Sequence, residues 1–130
     1  VLELLIFLRG AHYWLSRLGL GAAILMFLAA FIIGVIRKGD VTPRYRKLTY
    51  AVAGLMVVQT IIGGMMYLFL SSRPFEEVHL IYGLGMVLAL PFFIFVEKTA
   101  EKRPAMGSYI WGFAVLTGII VRGMMTGAVG

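Results

Sequence analysis

Two histidines, His12 and His79, are the only imidazoles in the chain, and each stands where a long apolar run begins. Two neutral imidazole nitrogens approaching from facing helices form the axial donor set of a bis-histidine haem iron. Zinc would call for a third and a fourth ligand; Glu76 or Glu77 could join His79, but His12 has no such neighbour. The chain has no cysteine. Thiolate metal sites and covalent haem attachment through C-x-x-C-H are therefore absent, and any haem would be a non-covalent haem b with His12 and His79 as metal ligands. The competing reading of each histidine is an interfacial side chain turned to lipid headgroups.

Other polar residues interrupt apolar stretches. Arg17 and Arg122 have no carboxylate on their own helices, and a guanidinium in an apolar setting calls for an anion, either a haem propionate or a lipid phosphate. Gln59 is an amide in mid-run, suited to bonding across to another helix or to facing a haem edge or a quinone carbonyl. At helical spacing inward from His12 come Ser16, Gly19, Ala23, Met26 and Ala30, a mostly small face. The counterparts are Gln59, Gly63 and Met66, and His79, Gly83, Met86 and Leu90. Gly19, Gly63 and Gly83 are thus expected to leave room for a planar macrocycle about 10 Å across. The apolar runs carry no Asp or Glu, which argues against proton-coupled transport.

The elements that must hold these residues follow from composition. Of 130 residues, 61% are hydrophobic and 14% charged, too little polar surface for a water-soluble domain. Four apolar runs, 12–36, 48–70, 78–96 and 107–129, each approach the roughly 20 residues that one bilayer crossing needs. None alternates as a transmembrane strand would. The expected fold is all-α, an integral membrane four-helix up-and-down bundle in a single domain. Residues 1–11 are expected as an interfacial segment, and the initial Val as the sign of a processed or incomplete start.

Gly39, Asp40 and Pro43 are expected to break the chain between helices one and two, and the basic residues gather there and between helices three and four. Arg37, Lys38, Arg44, Arg46, Lys47, Lys98, Lys102 and Arg103 stand against Arg9 and Arg73 on the other side. The net charge of +6 is therefore read as a topology signal rather than a nucleic-acid footprint. Both termini are expected on the outer side of a bacterial or organellar inner membrane. Tyr13, Trp14, Tyr67 and Phe69, with Phe95, Tyr109 and Trp111 at the other end, are expected as interfacial aromatic belts.

The run Gln59-Thr-Ile-Ile-Gly63-Gly64, about twenty residues before Val78-His79-Leu80, with His12 and Arg17 opening the preceding helix, resembles one four-helix half of haem A synthase. The resemblance covers roughly residues 12–95. It implies a bis-histidine haem near the outer face, with His12 and His79 as the paired ligands and Gln59, Gly63 and Gly64 on the intervening helix. The reactive half of that family carries a glutamate four residues before its first histidine; here Leu8 stands there. The implied remnant is a haem-holding scaffold, as in an unreactive half or a small b-type cytochrome, without the oxidation chemistry.

Two functions are expected from these residues. One is a haem b-binding membrane protein that transfers electrons or handles haem, with membrane lipid, a quinone and other subunits of a redox complex as partners. The other is a haemless accessory subunit packed by its glycine faces against a larger respiratory or photosynthetic complex.

Overall fold

Thr42 and Pro43 begin a helix rather than ending one. Proline tolerates the first helical position because its missing N–H has no partner there, and the Thr42 hydroxyl accepts from the N–H of Tyr45 at 3.1 Å. In the computed structural model, which describes residues 2–74, 76–99 and 106–127, this helix spans Pro43–Phe69 and is α2. Arg44, Arg46 and Lys47 therefore lie within its first turns, not in a loop. α1 spans Leu2–Phe31 and is prolonged by a π-helical turn, Ile32–Ile36. α3 spans His79–Thr99 and α4 Met106–Gly127. No strand occurs among the described residues.

Residues 2–11 form the opening turns of α1 and run without interruption into the rest of the helix, since no Gly-Pro or Asn-Gly break precedes His12. Val1, Lys102, Arg103 and the last positions of helix four, 128–129, lie outside the described residues.

All four helices are long and apolar enough to cross a membrane. Their outward faces carry large apolar side chains, among them Leu25, Leu68, Ile81 and Trp111, a surface that water would not tolerate but lipid does. Each helix packs on its chain neighbours and α4 closes against α1, so the helices form an up-and-down ring in which α1 faces α3 across the diagonal.

One end of the ring, where α1 and α3 carry the histidines, is the histidine end. The other is the tyrosine end, and there the interior is full. Tyr45, Tyr109 and Phe113 pack edge to face, with ring centroids 5.3 and 6.3 Å from Tyr45. The Tyr45 hydroxyl donates to the carbonyl of Met26 at 2.7 Å. Glu97 is buried in the last turns of α3, where it accepts two bonds from Arg46, at 3.1 and 2.9 Å, and one from the Tyr109 hydroxyl at 2.7 Å. Two sequence expectations change here. Glu97 is a carboxylate inside a helix bundle, although the apolar runs carried none. Tyr109 is buried as its partner instead of belonging to an interfacial belt, whereas Trp14, Phe69, Phe95 and Trp111 are exposed.

Candidate functional site

At the histidine end the ring of helices encloses a cavity of about 570 Å³. His12 from α1 and His79 from α3 meet across it, their ring centroids 6.1 Å apart and their planes crossed at 77°. Both are half-buried. The helix start at His79 is shaped by the preceding turn, where the N–H of His79 donates to the carbonyl of Glu76 at 3.0 Å and the N–H of Glu76 to that of Thr126 at 2.8 Å. The α3 entry is thereby tied to the end of α4.

Each ring rests on a glycine of the helix beside it. A Cβ on Gly63 of α2 would come within 3.1 Å of Cε1 of His12, and one on Gly127 of α4 would overlap the His79 ring. Glycine is required at 127 by this approach, whatever its backbone freedom contributes. The Nδ1 of His79 lies 3.2 Å from the Thr126 hydroxyl, which is fully buried. That hydroxyl also lies 3.0 Å from the carbonyl of Arg122 and 3.3 Å from that of Gly123, so it can donate to the backbone while accepting from the ring. With the His79 proton on Nδ1, Nε2 would keep its lone pair.

His12 is contacted by Gln59, which is 2% exposed and donates through Nε2 to the carbonyl of His12 at 2.8 Å. Gln59 thus bonds across to another helix. Its side chain also lines the cavity wall, one turn from Gly63.

The mouth of the cavity is basic. Arg9, Arg17 and Arg73 line it, and none has a carboxylate within ion-pair distance; among the described residues the single ion pair is Arg46 with Glu97, at the far end. Arg17 lies over the Tyr13 ring, 3.7 Å from its centroid, and donates to the Ser16 hydroxyl. Arg73 lies over Tyr67 at 4.2 Å. Both guanidiniums are held by aromatic faces with donors left free.

Of the residues singled out in the sequence, His12, His79, Arg17, Gln59, Gly63 and Gly83 line one cavity. Gly83 has open space where a Cβ would stand. Two others lie elsewhere. Arg122 is exposed on the outside of α4, its Nη1 3.8 Å from the Met125 sulfur, because its position on the helix turns it away from the ring interior. Gly19 is buried below the cavity, where Met56 fills the space beside it. The small face of α1 does point inward as its spacing requires, with Gly19, Ala23, Met26 and Ala30 all buried, but it receives Met56 and neighbouring core side chains rather than leaving a hollow. The cavity ends at Met86 and Ile120.

Sequence reasoning missed Arg9, Arg73, Gly123, Thr126 and Gly127. The last three sit at i, i+3 and i+4 on α4, a small and hydroxylated face at the depth of His79 that the spacing rule could have shown. No cluster of three or more His, Asp or Glu forms among the described residues, so the two imidazoles stand as a pair. The chain matches no family model, no curated protein and no solved structure.

Proposed function

We propose that the cavity holds one haem b between His12 and His79, in a membrane protein that carries electrons or handles haem. The observation that carries this reading is the separation of the imidazoles. A nitrogen ligand sits about 2 Å from a first-row metal and about 1 Å from its own ring centre, so two rings on one iron have centroids roughly 6 Å apart. The 6.1 Å between His12 and His79 meets that span. Crossed ring planes are compatible with two imidazoles sharing one metal.

Three further features support the same reading. The cavity volume falls in the range of about 300–1,000 Å³ typical of cofactor sites. The Thr126 hydroxyl, 3.2 Å from Nδ1 of His79, can accept a proton held there, which would leave Nε2 as a ligand nitrogen. Arg9, Arg17 and Arg73 present cationic donors without a carboxylate partner at the mouth, where haem propionates would be met. The group, when bound, supplies one-electron chemistry at iron. The chain's residues would do the holding: the imidazoles would supply the two nitrogen ligands, Gly63 and Gly127 leave room for their rings, and the arginines would neutralise the carboxylates.

In this reading the residues Gln59, Gly63, Gly64 and His79, with His12 and Arg17, would correspond to those of the haem-holding half of haem A synthase that the sequence resembles. Leu8, one turn before His12, is buried and apolar, which favours carriage or handling over oxidation of the haem. The excess of Arg and Lys at the tyrosine end supports a cytoplasmic position for that end and an outward one for the histidine end. A quinol, another haem subunit or an oxidase would be the electron partner.

A reduced-minus-oxidised spectrum of the purified chain tests the reading. A b-type α band is expected, lost in His12→Ala and in His79→Ala. A colourless wild type after expression with adequate haem overturns it and leaves the haemless accessory subunit.

A further inference from the structure

The four seams of the ring are not packed alike, and α2 meets α3 most thinly. At the tyrosine end this seam is closed by Arg46 and Glu97. In the histidine half the one side-chain bond from α2 to α3 among the described residues runs from the Thr60 hydroxyl to the Gly83 carbonyl, 3.5 Å, long for a bond between oxygens. Small residues in membrane helices ordinarily bring backbones together, yet a Cβ on Gly64 or on Gly83 would meet nothing within 4 Å. The space they leave belongs to the cavity, whose wall includes Thr60, Gly64, Leu80 and Gly83 from the two sides of the seam. Leu80 is also 41% exposed, one turn from the outward Leu84, so the wall reaches the outer surface of the bundle there. Gly83 and Met86 lie about 6 and 10 Å along α3 from His79, inside the apolar span rather than at its end. Gln59, next to Thr60 on the cavity wall, is 2% exposed and keeps an unpartnered Oε1, an acceptor left for a ligand.

We propose that the cavity opens sideways into the bilayer between α2 and α3, and that its ligand is a lipid-dissolved amphiphile that enters through this seam with its anionic groups at the arginine end. An apolar plate carrying carboxylates meets no polar barrier on this route. Its apolar body passes Thr60, Gly64, Leu80 and Gly83, while the carboxylates stay at headgroup depth, where Arg9, Arg17 and Arg73 line the mouth. Entry by the mouth alone would carry the apolar body through water and past three cations. α3 also has a weak point that favours widening of the seam. Its lower part is tied to α2 through Glu97, its entry turn is tied to α4 by the bond from Glu76 to Thr126, and Pro91 between them lacks the N–H that would bond to Val87. The opening is a property of the chain; that haem is the molecule using it rests on the haem reading above.

Two measurements separate the opening from its use. The first needs no haem. Wild-type apoprotein in phosphatidylcholine bilayers, doped with a phosphatidylcholine that carries a diazirine in its acyl chain, is photolysed and the labelled residues are identified by mass spectrometry. Label is expected on Thr60, Gly83 and Met86 of the cavity wall as well as on outward side chains such as Ile61, Leu84 and Leu88. Label confined to the outward residues overturns the proposal. The second measurement uses the absence of cysteine, which leaves Thr60→Cys with Gly83→Cys one possible disulfide within the chain, across the seam. With haemin supplied in the bilayer, oxidation of this variant is expected to slow haem uptake about 10-fold and dithiothreitol to restore it, while haem bound before oxidation is retained. Uptake equally fast with the disulfide formed overturns the proposal and leaves the arginine mouth as the entrance. Where no disulfide forms, the photolabel alone decides. Acyl-chain label inside a protein that takes up no haem sustains the opening and defeats only the haem reading.

Discussion

The two ends of this bundle are built from the same four helices and solve opposite problems. At the tyrosine end no enclosed side-chain polar atom among the described residues lacks a partner: Glu97 accepts three bonds, and Tyr45, Arg46 and Tyr109 all donate. At the histidine end the interior is hollow, two buried polar atoms are unpaired and three arginines lack carboxylates. In an apolar medium an unsatisfied polar group is costly, so an end that leaves several of them around a cavity is arranged for something that brings complementary groups. The filled end supplies the stability that lets the hollow end persist. The hydrogen-bonded Glu97 joins α3 to α2 and α4, while the Tyr45 hydroxyl joins α2 to α1, so the four helices are laced at one end and spread at the other.

Breaking the laced end should cost stability and spare the cavity. Arg46→Ala removes both guanidinium bonds and strands a carboxylate that is 6% exposed; a loss of about 3 kcal/mol is expected in reversible unfolding, with the α band that the proposed haem would give left unchanged in the folded fraction. A shift in that band would show that the two ends are coupled. Phe113→Ala empties a fully buried position against Tyr45. The expected cost is about 2 kcal/mol, below the usual value for a water-soluble core because lipid tails compete with packing partners as well as protein does.

The reverse experiment acts on the hollow end. Gly127→Ala places a methyl group in the space of the His79 ring, and haem retention through detergent exchange is expected to fall about 10-fold, near 1.4 kcal/mol, with unfolding almost unchanged. If Gly127→Ala instead unfolds the protein and leaves the spectrum intact, the histidine end is a packing surface and the contrast between the ends is wrong.

Several parts of this arrangement were readable before any coordinates. The four runs of about 20 apolar residues prescribe four crossings, and the short connections prescribe antiparallel neighbours, which puts helices one and three on a diagonal and His12 across from His79. The inward face of α1 was also readable, since Gly19, Ala23, Met26 and Ala30 repeat at helical spacing. The start of α2 lies earlier than its apolar run because the Thr42-Pro43 cap is followed by three basic residues in the first two turns, which carry a loop's composition on a helix. Glu97 was misplaced for the same reason. A charged residue near a helix end reads as loop until its partner is known, and Arg46 lies 51 residues away.

Run length against bilayer thickness determines how many times the chain crosses and how long each helix is, and both follow from local composition alone. Which face of each helix turns inward is another matter. A membrane helix is apolar on nearly all sides, so it lacks the polar stripe that tells a soluble helix where the solvent lies. The outward turn of Arg122, the burial of Tyr109, the filling of the Gly19 face by Met56 and the approach of Thr126 to His79 all depend on how four apolar cylinders fit together. That fit is a property of shape complementarity across the whole bundle, and no single segment carries it.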